Sequence, residues 1–149
     1  MAMSSSGLIV ITWRDILDAS GIAVNLDSDL GKCALFTNVI SNNLSTDTAY
    51  GTSPFNANEV SGSGYSAGGA LLTGTTFTES PTGTLKWDAD DVDWTTSTIT
   101  NARGAANYAD YLSDELIALT NFGGDYSTVA GLFRIQWHSL GIATLDLTP

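Results

Sequence analysis

Phe133-Arg134-Ile135-Gln136-Trp137-His138 alternates apolar and polar side chains without a break. A period of two marks an extended strand with one buried and one solvated face, so this stretch sets the reading of the chain as β. It also puts His138 on the same solvated face as Arg134. Gly141 then punctuates, and Ile142 to Leu147 reads as the returning strand of a hairpin. Working outward, residues 33–40, 65–73, 75–79, 83–88, 98–109 and 115–122 are further candidate strands, most of them separated by Gly, Asn, Asp or Ser. Their β-branched threonines suit pleated surfaces. Short strands at this spacing predict a mainly β fold: an antiparallel β-sandwich, jelly-roll-like or Ig-like. Residues 42–64 hold Pro54, three Gly and many Ser, Thr and Asn, and are expected to form a long loop.

One short N-terminal helix is expected before the strands. Thr12 is placed as its N-cap, with Asp15 three residues on. Trp13, Ile16 and Leu17 form an apolar stripe, and Ser20-Gly21 supplies the stop. The four-residue apolar run Leu8 to Ile11 is far short of the ~20 residues a spanning helix needs. No basic segment precedes it and no small-residue cleavage pattern follows, so a soluble protein made in a cytoplasm is expected. At 149 residues the chain fits a single domain, 1–149, in which residues 1–12 are either the first strand or an extended N-terminal arm.

Charge excludes one class of function. Five basic residues (Arg14, Lys32, Lys86, Arg103, Arg134) face sixteen acidic ones, a net charge of −11. Such a surface repels phosphate backbones and anionic membranes, and the bases are too scattered to form a patch. With 43% hydrophobic residues a packed core is expected rather than disorder. Cys33 stands alone, so there is no intrachain disulfide. Its place in Cys33-Ala34-Leu35-Phe36 makes it a small core residue.

Catalytic motifs are lacking: there is no nucleophile elbow, zinc-binding His-Glu-x-x-His or Walker loop. Ser61-Gly62-Ser63-Gly64 and Gly68-Gly69 lack the lysine and helix of a phosphate cradle, and turn geometry or close strand crossing explains them better. His138, the only histidine, reads as a surface or rim residue. The most loaded segment is Trp87-Asp88-Ala89-Asp90-Asp91-Val92-Asp93-Trp94. Its four carboxylates are hard oxygen ligands of the kind Ca²⁺ takes, but the glycine and glutamate of the helical-hand loop are missing. The ordinary reading is a turn satisfied by water or backbone N–H groups. Trp87 and Trp94 are expected at the edge of the core rather than stacked on a sugar. No catalytic, cofactor-binding or metal-ligating residue is therefore assigned.

Three blocks resemble a family of small tailed-bacteriophage virion proteins. They are Asn56 to Tyr65 with Gly68-Gly69, then Asp88 to Trp94 with Ser97 to Thr100 and Ala102 to Ala105, and last Asn121 to Asp125 with Phe133 to Trp137 and Gly141-Ile142. Their order is that of the family and they span roughly residues 30–147. Upstream, Leu44 to Tyr50 is also similar. The chain departs from the family in its shorter N-terminal helix, so no docking surface is carried over at that end.

The resemblance implies a non-enzymatic virion structural protein with a β-sandwich fold. An acidic protein belongs outside the packaged genome, and missing disulfides suit assembly in the bacterial host cytoplasm. The expected role is capsid decoration or cement on the outer head surface. A tail or fibre component, including a host-recognition module, is the alternative. Expected partners are the major capsid protein or other virion proteins and further copies of the chain, with no nucleic acid and no membrane.

Overall fold

Cys33, Ala34, Leu35 and Phe36 are all fully buried, so β2 (Lys32–Thr37) has no solvent face. That places it inside the molecule, with a neighbour on either side. In the computed structural model, which describes residues 3, 5–17, 23–29, 31–80 and 83–147, β2 pairs antiparallel with β7 (Ala102–Ala109) and with the short β3 (Ala70–Leu71). β7 pairs in turn with β8 (Glu115–Tyr126), and β8 with β1 (Gly7–Leu8), giving a five-stranded sheet of order β1-β8-β7-β2-β3. β4 (Thr76–Ser80) and β10 (Ala143–Asp146) flank β5 (Thr84–Asp88) in a second sheet. β6 (Val92–Ser97) and β9 (Gly131–Ile135) form a third.

The alternation of side chains divides the core in two. Cys33, Leu35, Ala105 and Ile117 of the large sheet share one cluster with Trp87, Val92, Trp94, Phe133 and Ile135 of the two small sheets. Ala34, Phe36, Ala106, Leu116 and Leu119 face the other way, against Met3, Ile9, Ile40 and Phe55. The protein is thus mainly β and antiparallel, as the sequence predicts. Sheets cover one face of the central sheet, and loops with the N-terminal segment cover the other. Each large apolar side chain so buried contributes about 1.5–3 kcal/mol. Among the described residues, Trp87 Nε1, Arg103 Nε and the side-chain amide of Asn107 are buried without a hydrogen-bond partner.

β3 is too short to complete the outer edge of β2, and the 42–69 segment finishes it. Val60 N–H donates to Leu35 O and Thr37 N–H to Asn58 O, each at 2.9 Å. Leu35 N–H donates to Tyr65 Oη at 2.9 Å. Glu59 then gathers three donors: Tyr50 Oη at 2.8 Å, Tyr65 Oη at 2.7 Å and Gly68 N–H at 2.7 Å. The Tyr50 ring stacks on Tyr108 with centroids 4.6 Å apart. The long loop is therefore ordered by one short backbone bridge to β2, at Phe36 and Glu59, and by side-chain hydrogen bonds.

Several expectations need correction. The single helix among the described residues, α1 (Val10–Leu17), begins before Thr12. Ile9 occupies the cap position, its carbonyl accepting Trp13 N–H, while the Leu44 carbonyl takes Val10 N–H. A distant carbonyl thus does what a local cap would do. Thr12 is buried within the helix and its hydroxyl donates to Leu116 O at 2.7 Å. The proposed stop, Ser20-Gly21, lies outside the described residues.

Residues 142–147 do not return against 133–138. β10 pairs with β5, and β9 with β6. Only an isolated bridge, His138 to Gly141, marks the expected hairpin. The candidate strand 65–73 shrinks to Ala70–Leu71, because Gly68 and Gly69 turn the chain through φ of 88° and 75° just before it. Gly7–Leu8 pairs with β8 of its own chain.

Candidate interaction surface

The acidic run resolves into four separate arrangements. Asp88 pairs with Lys86 Nζ at 2.9 Å and accepts Ala89 N–H. Asp90 and Thr73 lock two loops together: Asp90 N–H donates to Thr73 O at 2.8 Å, and the Thr73 hydroxyl donates back to Asp90 Oδ2 at 3.1 Å. Asp91 Oδ1 accepts the backbone N–H of Trp137 at 3.1 Å, while Trp137 Nε1 donates to Asp90 O at 3.0 Å. Asp93 lies opposite Arg134 in the β6–β9 register and binds it through two hydrogen bonds of 2.6 Å each. The guanidinium holds the Asp93 carboxyl below its ordinary pKa. Among the described residues no three His, Cys, Asp or Glu side chains converge as a metal site would require.

The turn expected at 88–93 is in fact shorter, because Val92 already begins β6. Val92, Trp94 and Ser97 are buried while Asp93, Thr95 and Thr96 are exposed. Trp87 and Trp94 are only 3% and 5% exposed, so neither offers a ring face to a ligand. Trp13 and Trp137 are half-buried, and Trp137 is the one that stands beside the acidic run. His138 is exposed and has left β9: its Nδ1 accepts Leu140 N–H at 3.2 Å and its carbonyl accepts Gly141 N–H. It belongs to a turn, not to the face that Arg134 occupies. Cys33 is sealed in the core, and burial pushes its thiol pKa far up.

Beyond Arg134 and Trp137 the surface opens into a groove of about 480 Å³. One wall is the consecutive run 132–137; the other includes Phe122 and Tyr126 from the far end of β8. The Phe122 ring meets Phe133 at 6.3 Å and Tyr126 at 6.2 Å, which carries the apolar wall from the core to the outside. Tyr126 and Leu132 are about half exposed. The acidic run supports this wall from behind through its contacts with Arg134 and Trp137.

All five bases are engaged in ion pairs: Arg14–Asp15, Lys32–Asp110, Lys86–Asp88, Arg103–Asp125 and Arg134–Asp93. Comparisons with protein-family models, curated proteins and solved structures give no match to this chain. The described exterior is acidic, its five basic side chains are all paired, and an aromatic groove is set into it beside β9.

Proposed function

We propose that the protein is a non-enzymatic structural component of a tailed-phage virion, bound to the outer surface of the head as a decoration or cement protein. The observation that carries this reading is the electrostatic one. Five ion pairs consume the whole cationic complement and leave an excess of eleven negative charges. That surface is repelled by packaged DNA and is suited to the exterior of a particle. The resemblance to small virion proteins supports the same reading. Its first block includes Glu59, Tyr65, Gly68 and Gly69, which fasten the long loop; its third forms much of the aromatic groove.

Modest single contacts suffice on a lattice, since repeated capsid subunits multiply them by avidity. Co-sedimentation with tail-less capsids assembled without the protein tests the proposal. Saturation on the order of hundreds of copies per particle is expected of a lattice-wide protein. Absence of binding overturns it and turns attention to tails, where the exposed ring of Tyr126 beside half-buried Trp137 would suit a recognition surface.

A further inference from the structure

We infer that the groove beside β9 accepts an extended segment of a partner protein, added as a strand to the free edge of β9. A groove lying over the face of a strand touches alternate residues, because side chains point to opposite sides. This one is lined by Leu132, Phe133, Arg134, Ile135, Gln136 and Trp137 in unbroken succession, and by no residue of β6. It therefore runs along the edge of β9 that faces away from β6, the one strand that pairs with it among the described residues. Such an edge presents backbone donors and acceptors ready to pair with an incoming strand. Across the groove, Phe122 and Tyr126 supply an apolar wall for the side chains that an added strand would point inward.

Charge selects the occupant. Asp91 stands at the Trp137 end, where it accepts the Trp137 N–H. Asp125 adjoins Tyr126 but is paired with Arg103, and Arg134, the cation in the groove lining, is held in a bidentate pair by Asp93, which leaves Asp91 as the carboxylate there without a cationic partner. A second copy of this chain would bring eleven more negative charges to the contact. The fitting segment is foreign: apolar at alternate positions, uncharged on the face beside Arg134, and basic towards its termini, to meet Asp91 and the net charge of −11. This inference stands on the edge geometry and is independent of the capsid reading, because its test contains no capsid.

The probe is the peptide Lys-Val-Thr-Val-Thr-Val-Lys, titrated into the whole protein by calorimetry and followed by amide hydrogen exchange. Binding with slowed exchange among the amides of residues 132–136 is expected. Two further peptides, one N-methylated at every valine and one at every threonine, block opposite edges of the probe. They should differ in affinity by about tenfold or more, because only one edge pairs with β9. Leu132→Lys, at a half-exposed position that the fold tolerates, should weaken the probe by a similar factor. Equal binding by both methylated peptides, or binding without protection of β9, would mean charge attraction alone and overturns the inference. A free protein that sediments as a dimer with residues 132–136 already protected overturns the choice of a foreign segment.

Discussion

Tyr65 Oη donates to Glu59 at 2.7 Å and accepts Leu35 N–H at 2.9 Å, so a single phenol stands where the next strand beside β2 would be. Leu35 is fully buried, and without Tyr65 its N–H has no replacement partner. Tyr65→Phe keeps the ring and removes both bonds. It should destabilise the protein by about 1–3 kcal/mol. Glu59→Ala orphans three donors at once and should cost more than Tyr65→Phe. Urea unfolding of both variants checks the order; equal midpoints for the wild type and Tyr65→Phe would show that the bond contributes nothing.

Alkaline stability follows from the same network. Burial first, then the hydrogen bond to Glu59, raises Tyr50 to about 12 from an ordinary value of 10.0, and burial raises Tyr65 and Tyr108 further still. A folded pKa above the unfolded one means stability that is fully present below about pH 10 and lost as pH climbs through about 12. Phenolate absorbance from these three residues should therefore appear together with the loss of far-ultraviolet circular dichroism. Ionisation near pH 10 with the dichroism intact would contradict the burial of the network.

Two glycines with similar backbone angles should respond differently to alanine. Gly69 has φ of +75°, and a Cβ there would lie 1.9 Å from the Cys33 carbonyl oxygen. Gly51 has φ of +84° with nothing within 4 Å of the same atom. Gly51→Ala bears only the left-handed strain of about 1–2 kcal/mol. Gly69→Ala adds a backbone collision and should cost at least about 2 kcal/mol more. Denaturant titration of the pair separates conformational strain from crowding.

Cys33 should be silent until the molecule unfolds. It sits on β2 between β3 and β7 with its side chain in the core cluster that includes Leu35 and Ile117, and the thiolate that reacts is disfavoured there. Labelling by a thiol reagent should track global unfolding across a guanidinium series. Fast labelling in native buffer would mean that this part of the core opens locally.

Much of the architecture was legible because alternation survives in sequence. Phe133 and Ile135 face inward as their spacing requires, and the apolar run at Cys33 to Phe36 proves to be a strand buried on both faces. Partners were not legible, since a period of two fixes a face and says nothing about the neighbour. The turn from His138 to Gly141 sends the chain to β5, where Trp87 O accepts Ile142 N–H, instead of back along β9. β6 was hidden by the aspartates of its own region, although Val92 and Trp94 already show the alternation. The helix start escaped notice because Leu44, not a local side chain, satisfies it. As for the groove, one wall is the alternating stretch 133–137 that stood out in the sequence, but its meeting with residues 120–128 and its ties to the acidic run through Arg134 and Trp137 depend on strand partners that the period of two does not name.

The placement of β1 bears on how the chain folds. Ile9 N–H pairs with Ile117 O, Ser6 Oγ accepts Asn121 N–H across 115 residues, and Met3 lies against Gly104. Met3 and residues 5–9 therefore lack their main backbone partner until β8 has been synthesised. Contacts so distant in sequence slow the closing step and lengthen the exposure of sticky intermediates. A chain cut short before β8 would leave the β7 edge open and β1 without the strand it pairs with.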